Sequence, residues 1–362
     1  MKRHTTRTPI ASNLHPATVA VAKFLVGAVV ASAVALSAAY SLGHPNTWWL
    51  ELTRYAPFPA YALPAAAAVV LSLLLGRWWR VAALLAFALV VTLVMGLVLA
   101  RGDGESSGGV PVRLMTYNIK AYLARDRPDG FARLAREVVL HDPDVVVMQD
   151  ANGGLESEPE AYLPELAALV GSRQMYRHGQ YVVASRYPLK NCRPGSMPIR
   201  GDEHTYVHCT LVVKGTEIDL VTVHFVSPRE GLNAARHERL DGIDEWEQNF
   251  KDRLTQSRKL AADLAGDLAR QPRPLIVAGD LNSLESSPVI RTLLNIGLRD
   301  AFSSAGWGYG YTQGHALRTG FSFLRIDHIL VSPALGVARC FVGGKEASEH
   351  RPVIADLFIK PQ

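Results

Sequence analysis

Cysteine is scarce in this sequence, with only three among 362 residues. This scarcity excludes a disulfide-rich scaffold, and Cys192, Cys209 and Cys340 lack the CxxC spacing that structural zinc sites use. Cys192 and Cys209 could bridge neighbouring strands of a domain outside the cell. The simpler interpretation, which we take as the expectation, is that all three are unpaired thiols.

The larger, C-terminal part of the chain lacks a surplus of positive charge. Residues 1–110 hold 8 of the 38 Lys and Arg and 3 of the 33 Asp and Glu, so residues 111–362 hold 30 of each. Nucleic-acid-binding proteins usually carry an excess of Lys and Arg to meet phosphates. The composition therefore predicts no stable nucleic acid partner, although it leaves room for a local basic patch.

Charge is also missing from three long apolar runs, which extend over Phe24–Gly43, Phe58–Gly76 and Val81–Ala100. Each run has about the 20 residues that a helix needs to cross the hydrocarbon core of a membrane. Because two further runs follow the first, a retained anchor is favoured over a cleaved signal peptide. The sequence predicts a three-span anchor over residues 24–100, preceded by a short tail of residues 1–23.

Basic residues indicate the orientation of this anchor. They precede the first run and separate the second from the third: Lys2, Arg3, Arg7, Lys23, Arg77 and Arg80. Because cytoplasmic loops are enriched in Lys and Arg, we expect a cytoplasmic N-terminus and a multi-pass protein of the cell membrane. Residues 101–110, rich in Gly and Ser, are the predicted linker, and residues 111–362 the predicted extracytoplasmic domain.

From Val112 onward, short β-branched runs alternate with helical segments. Residues 112–119, 144–148 and 274–280 have the composition of buried strands, and residues 234–270 form a long helical region. A Lys-Gly-Thr turn joins two further strand-like runs and indicates a hairpin. This mixture of hairpins and helical crossovers predicts a layered α/β sandwich.

Polar side chains stand at the ends of these apolar strands, where ligands commonly bind. They are Asn118, Asp150, His224, Asp280, Asn282, Asp327, Glu349 and His350. One such residue would be explained by turn formation. A succession of them along six segments instead predicts one polar cleft.

The ordered motifs TYNI, PDVVVMQD, SRYP, TVH, GDLN, RIDHI and SEHRP resemble the signature of the endonuclease/exonuclease/phosphatase superfamily. The resemblance covers residues 112–362. It implies a four-layered α/β sandwich of the DNase I type that hydrolyses phosphate esters with Mg²⁺ (or Mn²⁺). The preceding three transmembrane helices make the chain similar to a membrane-bound branch that includes the VanJ-type teicoplanin-resistance phosphatases.

The resemblance also implies roles for the cleft residues. The implied metal ligands are Asn118, Asp150 and Glu349. The implied phosphate-binding residues are Asn118, His224 and Asn282. The implied catalytic residues are His224, Asp280, Asn282, Asp327 and His350. Among these, Asp280 and Asn282 orient the attacking water, Asp327 fixes the tautomer of His350, and either Asp280 or His350 takes the water's proton.

Two positions depart from the family pattern. Asp150 stands where the family usually has Glu, and Glu349 stands where it usually has Asp. Since the changes in side-chain length run in opposite directions, we hypothesise that they compensate each other. The alternative is that metal binding is lost and the chain is a non-catalytic binding module.

The expected function is that of a membrane-anchored, metal-dependent phosphoesterase acting on a lipid-linked phosphate or pyrophosphate of the undecaprenyl type. Tethering to the membrane raises the local concentration of such a substrate. The Gly- and aromatic-rich loop 305–314 is a candidate for contact with its lipid chain. An extracellular nuclease and a sphingomyelinase-like phosphodiesterase are the alternatives within the same superfamily.

Overall fold

A computed structural model describes residues 15–42, 47–104, 109–152, 166–237, 239–270 and 273–361. Most of the predicted N-terminal tail and residues 105–108 of the predicted linker lie outside these ranges. The chain divides into two units, one made of Met1–His44 with Ala56–Leu97 and the other of Pro45–Tyr55 with Val98–Gln362. The second unit therefore includes a short segment from within the predicted anchor, whose boundaries otherwise stay predictions.

The first unit consists of apolar helices: α1 (Pro16–Leu42), α3 (Pro59–Ser72) and α4 (Arg77–Leu89), the last continued by a π turn over Val90–Val94. By length and composition α1 and the α4 segment could each cross a membrane. Helix α3 qualifies only together with α2 (Trp48–Arg54), which it meets at 77°. The structure thus supports two or three membrane-spanning helices.

The second unit contains the remaining elements. In chain order the strands are β1 (Val98–Leu99), β2 (Val110–Asn118), β3 (Val145–Gln149), β4 (Gln174–His178), β5 (Tyr181–Ser185), β6 (Leu189–Ser196), β7 (Thr205–Val213), β8 (Thr216–His224), β9 (Leu275–Asp280), β10 (Arg299–Asp300), β11 (Trp307–Gly308), β12 (Asp327–Val331), β13 (Leu335–Val342) and β14 (Val353–Ile359). The helices that follow α4 are α5 (Ala121–Arg125), α6 (Gly130–His141), α7 (Leu166–Val170), α8 (Arg229–His237), α9 (Arg239–Arg270), α10 (Pro288–Leu294) and α11 (Ala301–Ala305).

Two six-stranded sheets form the centre of this unit. One has the order β13-β14-β2-β3-β5-β4 and the other β10-β12-β9-β8-β7-β6. The pairs β2–β3 and β8–β9 are parallel, while the other neighbours are antiparallel. One parallel pair therefore lies near the middle of each sheet.

Successive side chains of each strand point to opposite faces of its sheet, and this alternation explains how the sheets and helices are layered. On β2, Leu114 packs between the two sheets, whereas Met115 packs with Leu134 of α6. On the other sheet, Val223 of β8 packs with Phe250 of α9. Strands covered on both faces become continuous apolar runs, as the sequence shows. The predicted α/β sandwich with two sheets is confirmed, and each sheet carries helices on its outer face.

Helix α2 packs within the second unit. Trp48 lies against the apolar cluster between α9 and its sheet, and its carbonyl oxygen accepts a hydrogen bond from Trp246 Nε1 at 3.0 Å. The connection between α1 and α3 is therefore folded onto the α/β sandwich.

The expectation of three unpaired thiols is wrong. Cys192 of β6 and Cys209 of β7 form a disulfide between neighbouring strands, whereas Cys340 is free and buried. The two cysteines meet because β6 pairs with β7 in an antiparallel ladder. A bulge in that ladder, between Lys190 and Arg193, sets the register beside Cys192.

Candidate active site

Polar side chains from both sheets meet at one edge of the sandwich. Asn118 and Asp150 stand at the ends of the parallel strands β2 and β3, and His224 and Asp280 end the parallel strands β8 and β9. Asp327 begins β12 and lies opposite Asp280 in an antiparallel ladder. Because the carboxyl ends of parallel strands face the same edge of a sheet, the strands bring these five residues to one place.

Asp280 is the centre of the site. Its Oδ2 accepts a hydrogen bond from Asn118 Nδ2 at 2.9 Å, which links the two sheets. His224 Nε2 lies 3.5 Å and His350 Nδ1 lies 3.7 Å from the same oxygen. The side chain of Asp280 is buried. Three groups that donate hydrogen bonds or carry positive charge thus converge on one buried carboxylate.

Asp280, Asp327 and His350 form a group that could hold a metal ion. Their ligand atoms all lie within 4.8 Å of one another, and all three residues are buried. Asp327 Oδ2 is 2.9 Å from His350 Nδ1, whereas Asp327 Oδ1 is buried without a hydrogen-bond partner. A buried carboxylate oxygen without a partner is costly unless a cation or donor satisfies it. The donor set therefore fits a divalent cation.

The carboxylates of this group control the charge of His350. Burial by itself would lower the pKa of the imidazole, but the nearby Asp327 and Asp280 outweigh burial and raise it. The hydrogen bond from Nδ1 to Asp327 fixes the orientation of the ring. The structure therefore places Asp327 in contact with His350, and their catalytic role stays a prediction.

Asp150 is paired with a lysine that the sequence reasoning did not single out. Lys120 Nζ lies 2.6 Å from Asp150 Oδ2, and His224 Nδ1 lies 3.4 Å from Asp150 Oδ1. Burial raises the pKa of Asp150, but the charges of His224 and Lys120 outweigh it and hold the pKa well below its usual range. Likewise, burial opposes the charge on Lys120, and Asp150 reverses that effect and raises its pKa. The only sequence signal for Lys120 is its position two residues after Asn118.

His224 is oriented by two neighbours from the opposite sheet. Its Nδ1 lies 2.6 Å from Gln180 Oε1, and its backbone N–H donates to the Tyr181 hydroxyl at 3.0 Å. The contact with Gln180 makes Nδ1 the donor and leaves Nε2 directed at Asp280. Gln180 lies in a short turn without a motif, so sequence reasoning missed it.

Glu349 is not one of the residues that form the Asp280–Asp327–His350 group. Its Oε2 is 3.5 Å from Arg229 Nη2, and the side chain is partly exposed. Asn118, the remaining predicted ligand, uses its amide nitrogen for Asp280 and its Oδ1 for the backbone N–H of Lys120. The metal-ligand roles of Asn118, Asp150 and Glu349 stay predictions, as does the hypothesis that the two exchanged carboxylates compensate each other.

The turn after β9 holds Asn282 in a left-handed backbone conformation, with φ of 46°. Its backbone N–H donates to Asp280 Oδ1 at 3.0 Å, and its Nδ2 donates to the carbonyl of Phe225 at 2.8 Å. Gly279 precedes this turn, and a Cβ there would lie 1.9 Å from the carbonyl oxygen of Val223 on β8. Close packing of β8 and β9 therefore requires glycine at the first position of the GDLN motif, whereas Asp280 and Asn282 of the motif form the site.

A network of charged residues contacts the turn that follows β9 through the carbonyl of Ser283. His328 points away from Asp327, with Nδ1 2.7 Å from Asp300 Oδ2 and Nε2 2.9 Å from the carbonyl of Ser283. Arg325 is paired with Asp300 and Glu285. Burial raises the pKa of Asp300, but Arg325 and His328 outweigh burial and lower it. His328 and Arg325 thus have structural roles next to the site.

The aromatic loop borders the site and carries an exposed apolar surface. Gln313 forms a β-bridge with His350, and at the other end of the loop Trp307 pairs with Leu99 of β1. The rings of Tyr309 and Tyr311 stack with centroids 5.1 Å apart. Trp307 is 76% exposed and Leu99 57% exposed. We call the Leu99–Trp307 pair the apolar lip.

Comparison with known proteins is consistent with this geometry. Residues 115–350 match the Endonuclease/Exonuclease/phosphatase family model. Similar folds occur in truncated TDP2 of Caenorhabditis elegans (19% identity, TM-score 0.51, covering 69% of this chain and 98% of that chain) and in an endonuclease/exonuclease/phosphatase of Bacteroides vulgatus (18%, 0.51, 69% and 99%). A mannosyl-6-phosphatase of Bacteroides thetaiotaomicron is also similar (18%, 0.50, 68% and 99%). No curated protein matches the chain, and at these identities the solved structures show the fold alone.

Proposed function

Because the chain belongs to the endonuclease/exonuclease/phosphatase family, we propose that it is a membrane-anchored, metal-dependent phosphoesterase that hydrolyses a lipid-linked phosphate or pyrophosphate. The observation that carries the proposal is the buried Asp280–Asp327–His350 group at the edge where the polar strand ends meet. Hydrolysis of a phosphate ester requires cationic groups and hydrogen-bond donors for the phosphoryl oxygens and a group that orients water. The site offers both kinds of group.

The donor set indicates a hard divalent cation such as Mg²⁺ or Mn²⁺. Asp280 and Asp327 would provide oxygen ligands, including the buried Asp327 Oδ1 that has no hydrogen-bond partner. His350 would stand beside them. When bound, such an ion supplies positive charge for the oxygens of the phosphoryl group.

The remaining roles follow from the chain's own contacts. Asp280 orients the attacking water, and either Asp280 or His350 accepts its proton. His224, held by Gln180 so that Nε2 faces the site, donates a hydrogen bond from Nε2 to the phosphoryl group in its protonated form, in which both ring nitrogens carry hydrogen. Lys120 keeps Asp150 ionised and adds a further positive charge at the rim.

The apolar lip supports a lipid-linked substrate. Only four residues lie between Val94, the end of the last apolar helix, and Leu99. Exposed Trp residues favour the interface between membrane and water. The loop that forms a bridge with His350 therefore begins at a surface suited to the membrane interface, which favours a substrate presented from the bilayer. Undecaprenyl phosphates and pyrophosphates are the proposed class, as in the VanJ-type branch that the architecture resembles.

The packing of α2 supports three crossings. Since Trp48–Tyr55 packs within the same unit as Val98–Gln362, both segments must lie on one side of the membrane. An even number of crossings between Tyr55 and Val98 then requires α3 to cross together with α4, although α3 is long enough by the length criterion only in combination with α2. With α1 as the first crossing, the basic residues before α1 and around Arg77 lie in the cytoplasm, and the catalytic unit lies outside. The disulfide is compatible with that compartment.

The test is a substrate panel with the full-length protein in detergent. We expect phosphate release from undecaprenyl pyrophosphate with Mg²⁺ and none with EDTA. Nicking of a plasmid without phosphate release would instead assign the chain to the nucleases, and phosphocholine release from sphingomyelin would assign it to the phosphodiesterases. Inactivity on all three substrates would favour a non-catalytic binding module.

A further inference from the structure

The connection between the first two apolar helices contributes to the active site. We propose that Tyr55, at the end of the Trp48–Tyr55 segment, is a positioning residue that holds the Asn282 turn and, through it, the Asp280 carboxylate. The proposal rests on the phosphoesterase function proposed above, because its consequence is catalytic.

Tyr55 contacts the turn through its hydroxyl group, which donates to the carbonyl oxygen of Asn282 at 2.6 Å. The Tyr55 ring packs edge-on against Trp246, with ring centroids 5.6 Å apart and planes at 83°. The Arg253 guanidinium lies 5.8 Å from the same ring. Burial raises the pKa of Tyr55 to about 12, so the hydroxyl stays a proton donor at any working pH. The hydroxyl is therefore held in one orientation by α9.

Arg54 provides a second attachment to the same loop. Its Nε donates to Ser286 Oγ at 3.0 Å and its Nη2 to the Ser286 carbonyl at 3.1 Å. Its Nη1 donates to Glu51 at 2.9 Å, and both members of that ion pair are fully buried. A buried ion pair of this kind fixes geometry more than it adds stability. Two consecutive residues of the connection thus hold both ends of the segment Asn282–Ser286.

The support bears on a residue in the left-handed region, which Asn adopts more readily than most L-residues but at some cost in free energy. The backbone N–H of Asn282 also fixes Asp280 Oδ1. A rotation of the turn would therefore move an oxygen of the central carboxylate. Displacement of catalytic groups by a fraction of an ångström is enough to lower the rate.

The test compares full-length Tyr55→Phe with Tyr187→Phe. Both variants remove a hydroxyl, but the Tyr187 hydroxyl donates to the carbonyl of Pro111 at 3.5 Å, at the opposite end of β2 from Asn118. We expect Tyr55→Phe to lower kcat about fivefold with KM almost unchanged, measured well below a thermal midpoint that falls by a few degrees because the Asn282 carbonyl loses its partner. Tyr187→Phe should match the wild type. An unchanged kcat in Tyr55→Phe, or a loss that only follows a lower thermal midpoint, would overturn the proposal.

Hydrogen exchange gives a second readout that does not depend on the substrate. In Tyr55→Phe, peptides that cover residues 281–287 should exchange faster than in the wild type, and in Tyr187→Phe they should not. Equal exchange in all three proteins would overturn the positioning role even if the wild type proved inactive. If the wild type were inactive but Tyr55→Phe still exchanged faster than the wild type over residues 281–287, the positioning role would stand and only the proposed function would be contradicted.

Discussion

Asp280 and Asp327 face each other across the β9–β12 ladder and share His350, whose Nδ1 lies 3.7 Å from one carboxylate and 2.9 Å from the other. Two buried carboxylates this close repel each other unless positive charge lies between them. His350 supplies part of that charge. The partnerless Asp327 Oδ1 marks the place where a further cation would be stabilised.

Replacing Asp327 with Asn should weaken binding of Mg²⁺, because it removes one charged ligand from the Asp280–Asp327–His350 group. In the wild type, saturating Mg²⁺ should raise the thermal midpoint by roughly 3 °C, since a ligand that binds only the folded state stabilises it. The shift should be much smaller in Asp327→Asn. Equal shifts in both proteins would show that Asp327 is not a ligand.

Replacing Lys120 with Met should destabilise the catalytic unit, because it removes the closest cationic partner of the buried Asp150 carboxylate and leaves only His224 beside it. We expect the free energy of unfolding to fall by about 3 kcal/mol. The double variant Lys120→Met/Asp150→Asn should recover most of the loss, because no uncompensated charge then remains. Denaturant unfolding of the wild type, Lys120→Met, Asp150→Asn and the double variant measures this cycle. If the losses of unfolding free energy in the two single variants simply add up in the double variant, the pairing is contradicted.

Much of this site could be predicted from the sequence, because its residues follow strands with a strong apolar pattern. Asn118, His224 and Asp280 end strands that the β-branched runs identify, and strand order brings them together. Lys120 and Gln180 could not be found in this way, since each acts through a contact between segments far apart in the chain. The disulfide was missed for the same reason, because it depends on strand register.

The predicted anchor shows the same limit. Composition identified three apolar runs, but the connection between the first two gave no sign that it packs on the catalytic unit. The hydrogen bonds of Arg54 and Tyr55 join residues separated by more than half of the chain. A pattern within a short stretch of sequence cannot predict contacts between residues so far apart in the chain.

The linker after the anchor should contribute a pH-dependent part of the stability. Arg299 holds the pKa of Asp103 at about 2, helped by the backbone N–H of Val337 and opposed by burial. A carboxyl whose pKa is lower in the folded than in the unfolded state stabilises the fold above its unfolded pKa of about 4. That contribution is lost as the pH falls towards 2.

The measurement is the difference in unfolding free energy between the wild type and Asp103→Asn. At pH 7 the wild type should be more stable, by on the order of 1 kcal/mol because Asp103 is largely solvated. The difference should shrink as the pH falls from 4 to 2. A difference that did not change with pH would contradict the ion pair.

Replacing Trp307 with Ser should lower activity against membrane substrates, because Trp307 is the larger part of the apolar lip. We expect about a tenfold loss on lipid phosphate in vesicles and little change on a water-soluble phosphate ester. Val139→Ser is the matched control, since Val139 is equally exposed but lies on α6. Equal losses on both substrates would indicate damage to the site and contradict membrane contact.

The most direct test of the central claim is phosphate release by full-length Asp280→Asn with Mg²⁺, measured beside Asp219→Asn. Asp219 is also a buried aspartate, but it lies within β8, five residues before His224, and pairs with Arg273. We predict that Asp280→Asn stays folded and loses activity by at least about a hundredfold, whereas Asp219→Asn stays active. Wild-type release by folded Asp280→Asn would contradict the assignment of this site.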